Sequence, residues 1–369
     1  MRHSLRRKSC SACARAKRRC NLSLPRCNRC IAKDTECSYP KFTAVSTPTP
    51  TSRSPSATSL IIPPIDDEMS LAQPCRLQLY STASPLQGAR ILEDFTARAE
   101  FCAQLLFMQS PSLAEMGFNV FIHPSQTLAS NILRETFATS ALHAIRNPSN
   151  ASFVNAEVAQ RALQLIEAMQ AESIGSDVTE HGKLSSLQAL LVYQCIRLFN
   201  PSNISQQTQA ERHNIVLQLR VVRLQIFQSS DNSNELTSMT WESWVKQEAI
   251  RRTLICTELV TGTYTYLRGL WPMGVQCHHD LWFTAQKRLW EAKSAAEWRL
   301  IRDDTSSPLL PTNLLRLDTD LEQASPSDLD DIGVLLRVTG KGFENLNEWL
   351  SHDGRALKRW GDMHLRLTT

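Results

Sequence analysis

Beyond about residue 86, apolar residues recur along the chain at helical spacing. Ile91, Phe95, Cys102, Leu105 and Leu106 fall near one helical face. The same spacing links Leu128, Ile132, Phe137, Leu142 and Ile145, and again Phe153, Leu163, Ile166 and Met169. Residues 184–199 are apolar on several faces, which predicts a buried helix. Residues 216–227 read as another helix. A long one follows, with Trp241, Val245, Ala249, Cys256, Leu259 and Thr263 at steps of three to four. Further helices are expected over 284–301, 327–338 and 343–359. Strict alternation of polar and apolar positions, the mark of a half-buried strand, does not appear. Twelve glycines in 369 residues are few for the tight turns of a sheet-rich fold. The expected fold class is therefore all-α. No long internal repeat supports a solenoid.

Upstream the pattern breaks. From Thr43 to Ser59, thirteen of seventeen residues are Ser, Thr or Pro. Such a stretch buries too little apolar surface to offset its ordering entropy, so it reads as a flexible linker. The expected organisation is a small module over 1–41, a linker over 42–86 and a large helical domain over 87–369. No apolar stretch is long enough to span a bilayer, and no apolar run follows the basic N-terminus as in a signal peptide. The expectation is an intracellular chain with no membrane partner.

Charge divides at the same place. The whole chain has 40 basic and 36 acidic residues, a net of +4. Residues 1–41 hold twelve basic and two acidic residues, a net of +10, and the remaining 28 basic and 34 acidic residues give −6. A strongly basic block beside a mildly acidic body points to a polyanionic partner.

Six of the eleven cysteines lie in the same block. They read Cys10-Ser-Ala-Cys13, Cys20, Cys27-Asn-Arg-Cys30 and Cys37, so that one three-cysteine unit is used twice. A CxxC pair sets two thiolates on one metal, and sulfur-only sites select Zn²⁺ over hard cations. One tetrahedral zinc would leave two cysteines spare. Two zincs need eight ligand positions, and six sulfurs fill them if two cysteines bridge both metals. The internal symmetry singles out Cys10 and Cys27 as the bridging pair. Cys75, Cys102, Cys195, Cys256 and Cys277 are scattered and read as packing residues. Arg15, Lys17, Arg18 and Arg19 crowd the stretch before Cys20, where their mutual repulsion is unfavourable without an anion. A lysine or arginine on guanine is the commonest base-specific contact in the major groove. Arg6, Arg7, Lys8, Arg19, Arg29 and Lys33 suit phosphates instead. The same basic residues fit a nuclear-import signal.

The segment CSACARAKRRCNLSLPRCNRCIAKDTECSYP resembles the fungal Zn2Cys6 binuclear-cluster DNA-binding domain. All six cysteines match, as do the basic run before Cys20 and Pro25 two residues before Cys27. The resemblance implies two Zn²⁺ held by Cys10, Cys13, Cys20, Cys27, Cys30 and Cys37. It implies a short helix after each CxxC pair, the first entering the major groove at a CGG-type triplet. Lys17 matches the base-reading lysine of that pattern. Arg15, Arg18, Arg19, Arg29 and Lys33 are the further expected DNA contacts. Ala14 departs from the arginine of many members. Residues 187–200, 240–269 and 280–299 resemble the fungal-specific transcription factor domain, nearest to regulators of secondary-metabolite gene clusters. The implied function is a nuclear transcription factor of RNA polymerase II genes. Its implied partners are double-stranded DNA, a second copy and transcriptional co-regulators. Residues 60–90 show no sustained heptads, so a dimer would form through the helical domain or on DNA.

No GxGxxG, P-loop or GxSxG is present, so no enzyme is expected. The other class considered is a scaffold whose cluster binds protein or RNA. Cys277-His278-His279-Asp280 lacks metal-ligand spacing. Trp241, Trp244, Trp282, Trp290 and Trp298 read as core. The acidic and apolar residues of 317–336 suit an activation segment, or a helix start with Ser325 as cap and Pro326 at the first turn. The helix start is the preferred reading.

Overall fold

The computed structural model describes residues 11–16, 18, 28–33, 35, 85–171, 180–200, 204–226, 239–269, 281–304, 309–313, 316–322, 324–341 and 349–361. Two compact units divide the chain, Met1–Met69 and Ser70–Thr369. In the first, two short helices are described, α1 (Ser11–Arg15) and α2 (Asn28–Ala32), and they pack on each other.

The second unit is helical, as the periodicity predicts. It contains α3 (Pro85–Phe107), α4 (Gln109–Met116), α5 (Pro124–Ala129), α6 (Asn131–Ala144), α7 (Ala151–Ala171), α8 (Glu180–Leu198), α9 (Ile204–Ile226) and α10 (Trp241–Leu267). The chain continues through α11 (Lys287–Trp290), α12 (Ala295–Arg302), α13 (Leu317–Asp320) and α14 (Asp331–Lys341). Instead of one helix over 284–301, the chain forms α11 and α12 and a two-residue strand, β1 (Phe283–Thr284). That strand pairs antiparallel with β2 (Pro311–Thr312), Phe283 opposite Thr312. Residues 343–348 and the linker stretch 43–59 lie outside the described residues. Among the described residues, no helix is long and apolar enough to cross a membrane.

Helix α8 is the centre. Every residue from 184 to 198 is buried, and α4, α6, α7, α9 and α10 all pack against it. Helix α10 is buried on most faces and packs on α3, α8, α9 and α12. It hides four polar hydroxyl side chains by bonding them to its own backbone. Thr253, Thr257, Thr261 and Thr265 each donate to the carbonyl four residues earlier, at 2.6–2.8 Å.

Local signals set the helix ends. Ser130, Thr240 and Ser294 cap α6, α10 and α12 by accepting from the backbone N–H three residues on. Pro124 opens α5, with Gln126 returning a bond to the His123 N–H. Gly117 ends α4 at φ +77°, a left-handed conformation natural to glycine.

The buried faces of α6 and α7 differ from expectation. Phe153 is 80% exposed, and Leu128, Leu142, Ile145 and Leu163 are exposed too. The inward face of α7 is Val154, Val158, Ala162, Ile166 and Met169, which is displaced by one residue from Phe153. Helix α6 buries Leu133 with Thr136, Thr139, Ser140 and His143. Thr136 and Thr139 satisfy their hydroxyls on the Ile132 and Glu135 carbonyls, so a polar stripe faces inward.

At the heart of the unit sits a charged side chain. Arg252 of α10 is fully buried. Its Nε donates to Glu248 Oε1 at 2.9 Å, and its Nη1 donates to Asp330 and to the Val120 carbonyl. Its Nη2 donates to the Thr284 carbonyl at 2.6 Å, and its guanidinium lies 4.2 Å from the Trp290 ring centroid. Burial works against the charged form here, but the Asp330 and Glu248 carboxylates outweigh it and hold Arg252 above its ordinary pKa. Glu248 Oε1 also accepts from the Thr284 N–H, and Asp330 Oδ1 caps α14 through the Ile332 and Gly333 N–H groups. One guanidinium thus joins α10, the loop after α4, β1 and the start of α14.

Removing that cation strands two buried carboxylates. Arg252→Met should cost about 3–5 kcal/mol in urea unfolding of the full chain. Glu248→Gln keeps an acceptor for Arg252 and should cost clearly less. Equal losses would show that the ion triad is not the keystone.

Three buried histidines make the unit acid-labile. Burial pushes His123 down to about 3, and His143 and His213 down to about 4, with Arg252, Arg146 and Arg197 respectively adding repulsion. Unfolded histidine titrates near 6.5. Below that pH the unfolded chain binds more protons than the folded one, so stability falls as pH drops from 6.5 towards 4. Each group contributes a slope of about 1.4 kcal/mol per pH unit in that window. Among the described residues His143 has no hydrogen-bond partner, and it lies edge-on to Phe107. His143→Phe should therefore reduce the slope by about one proton, measured by denaturant unfolding between pH 7.5 and 4.5. An unchanged slope would refute its assignment.

Candidate metal centre and nucleic-acid interface

The described part of the first unit is built as two copies of one turn. Helix α1 starts one residue after Cys10 and α2 one residue after Cys27. Cys13 and Cys30 occupy matching positions and both are fully buried. The hydrogen bonds repeat as well. Ala16 N–H donates to Ala12 O and Lys33 N–H to Arg29 O, both at 3.1 Å. Arg18 N–H donates to Cys13 O and Thr35 N–H to Cys30 O, both at 3.0 Å. Each pair is related by the offset that carries Cys10 onto Cys27. The cysteine spacing legible in the sequence thus appears as a repeated backbone turn, with each second CxxC cysteine drawn inward.

Two buried thiols on two packed helical turns fit a metal better than a hydrophobic core. So small a module has few apolar side chains to bury, and sulfur donors suit Zn²⁺. Cys13 and Cys30 are the two expected ligands that lie within the described residues, one on each of the packed helices. Cys10, Cys20, Cys27 and Cys37 lie outside the described residues, as do Lys17 and Arg19.

The basic side chains separate into two sets. Arg15 at the end of α1, Arg18 and Lys33 are exposed, available to a polyanion. Arg29 is half-buried, and its Nη1 donates to Cys13 Sγ at 3.9 Å. The repeat places Ala12 at the corresponding position of the first half. In the sequence Arg29 is one basic residue among twelve over residues 1–41. The signal in the sequence is its place inside the second CxxC pair, where the first pair has Ala12.

The helical unit offers no comparable constellation among its described residues. Trp244, Trp290 and Trp298 are buried, with Trp244 centroids 6.3 Å and 5.5 Å from the other two. They are core, as expected, whereas Trp282 is 37% exposed and stands beside Arg316. Cys102, Cys195 and Cys256 are buried free thiols, and burial raises all three, Cys102 to about 12. Such protonated thiols are packing residues and poor nucleophiles. Residues 277–280, with their cysteine, two histidines and aspartate, lie outside the described residues.

The acidic stretch 317–336 is consumed by the fold. Ser325 opens the 3₁₀ turn Pro326–Asp328, with Asp328 accepting from the Ser325 N–H. Leu317, Leu321, Leu329, Asp330 and Asp331 are buried. Asp331 accepts from Gln109, Arg359 and the Trp360 indole, which fastens the turn Leu357–Gly361 to α14. These residues hold the core, but Ser325 and Pro326 open only the 3₁₀ turn, and the helix itself starts later, at Asp331, with Asp330 as its cap.

Comparison with known proteins agrees with the site. Residues 8–45 match the fungal Zn(2)-Cys(6) binuclear cluster domain. The chain is 28% identical to transcription factor gsfR2 of Penicillium aethiopicum, over 94% of this chain and 95% of that protein. No solved structure matches the chain. Residues 8–45 are therefore similar to a zinc-cluster DNA-binding domain, and the class to which the chain is similar is non-enzymatic.

Proposed function

We propose that this DNA-binding transcription factor, with its fungal Zn2Cys6 domain, reads CGG-type triplets through a cluster of two zinc ions and regulates a secondary-metabolite gene cluster. The observation that carries the reading is the doubled turn. Matching helices bury Cys13 and Cys30 while Arg15, Arg18 and Lys33 stay exposed. Cys10, Cys13, Cys20, Cys27, Cys30 and Cys37 are the proposed ligands, with Cys10 and Cys27 bridging. Bound zinc cross-links the module and neutralises most of the thiolate charge.

Lys17 is the proposed base reader, and Arg15, Arg18, Arg19 and Lys33 hold phosphates. The working site is the nucleus, where double-stranded DNA and transcriptional co-regulators are the partners. Homodimerisation would use the helical unit or pairing on DNA. The proposed division is a DNA-binding head over 1–41, a linker over 42–86 and a helical regulatory domain over 87–369. The gene-cluster part rests on the likeness of residues 187–200, 240–269 and 280–299 to such regulators.

Metal analysis of the purified chain should find two zincs, and a count of one would refute the bridged cluster. Lys17→Ala should cost about 1–3 kcal/mol at one triplet position. A uniform loss on every sequence would make Lys17 a phosphate contact instead. A ratio of specific to non-specific DNA affinity near one, at physiological salt, would overturn the sequence-reading role and favour a scaffold.

A further inference from the structure

Arg29 does not sit like the other described cations of this module. Arg15, Arg18 and Lys33 are exposed, whereas Arg29 is half-buried on α2. Its Nη1 reaches 3.9 Å from Cys13 Sγ, a contact that crosses sixteen residues and joins one half of the repeat to the other. Ala12 stands at the equivalent position of the first half and has no side-chain donor to offer.

The chemistry gives that bond a purpose. A cysteine serves zinc as thiolate, and six thiolates around two Zn²⁺ leave two negative charges on the sulfurs. A guanidinium is permanently charged, and its N–H groups are strong donors to an anionic acceptor. An arginine held against a ligand sulfur draws off part of its excess charge and fixes its direction. Groups that bond to metal ligands in this way tune affinity as well as orientation. An arginine committed to sulfur has correspondingly less of its fork left for a phosphate.

We propose that Arg29 is a positioning residue of the metal centre, clamping the two halves of the module through the Cys13 sulfur, and is not a phosphate contact. The proposal rests on the zinc-cluster reading. It predicts that Arg29 governs retention of zinc, while Lys33, in the turn just after α2 and exposed, governs attraction to DNA.

The test compares full-length Arg29→Ala, Arg29→Gln and Lys33→Ala proteins with the unaltered chain. Two quantities are read: zinc affinity by competition with a colorimetric chelator, and the slope of log DNA affinity against log salt. Arg29→Ala should lower zinc affinity about tenfold or more and leave the salt slope unchanged in protein kept zinc-loaded. Lys33→Ala should keep zinc affinity and reduce the slope by about 0.9. Arg29→Gln retains a neutral N–H donor and should fall between Ala and the unaltered chain in zinc affinity. That variant decides the matter if Arg29→Ala fails to hold metal at all. Unaltered zinc affinity in both Arg29 variants, with a shallower salt slope, would overturn the proposal. Absence of zinc from the unaltered chain would instead overturn the cluster reading beneath it.

Discussion

A permanent cation with no water around it must have anions, and the helical unit is organised about that requirement. Arg252 is buried among apolar helices, where an unpaired guanidinium would be strongly unfavourable. Glu248 lies one turn away on the same helix and arrives without any long-range folding. Asp330 is far along the chain and does not. Its carboxylate must be carried to α10 and held there, which fixes where α14 begins. The Val120 and Thr284 carbonyls complete the shell, so the loop after α4 and strand β1 are placed by the same group. Trp290 roofs it, and the Trp290 indole donates to the Asn119 carbonyl beside Val120. These contacts are directional. They select one arrangement of helices from the many that apolar packing alone would accept.

The zinc module meets the opposite difficulty. It has too little apolar surface for a core, and it carries a net of +10 over residues 1–41. Thiolates supply what a core cannot, since metal ligation turns binding energy into folding energy. Both units thus rely on matched charges, with arginine against carboxylates in one and sulfur against metal in the other. The difference lies in distance along the chain. Ligand sets in the module recur every few residues, so their partners are local. In the helical unit the decisive partner of Arg252 is separated from it by 78 positions.

That difference explains what was legible in the sequence. The cysteine repeat is local, and the turn it implies appears in α1 and α2. Helix α8 is readable because residues 184–198 are buried all round and nearly all apolar or small. Helix α6 is not, since beside Leu133 its inward face is Thr136, Thr139, Ser140 and His143, with the Thr136 and Thr139 hydroxyls closing on the preceding turn. Phe153 misled the phase of α7, because one large exposed aromatic outweighs the small Ala162 in a pattern of hydrophobicity. Strands β1 and β2 are two residues each, too short to show alternation, and their place depends on Arg252 and Glu248. The role of Asp330 was half legible. Its position near a helix start follows from Ser325 and Pro326, but no local signal announces its distant cation.

The near-zero net charge of the whole chain conceals a division that matters for binding. DNA attracts the +10 segment and repels the −6 remainder, and both effects weaken with salt. Electrostatic attraction to a polyanion is thereby confined to the basic segment. A basic helical domain would add non-specific attraction to every sequence equally, which raises affinity and lowers discrimination. Within the basic segment the same logic applies on a finer scale. On the proposed reading, a cation turned onto a ligand sulfur, as Arg29 is onto Cys13, has less of its donor fork left for phosphate than an exposed one. Specific recognition therefore depends on how the positive charges are apportioned between metal ligands, phosphates and bases, and their number alone does not determine it.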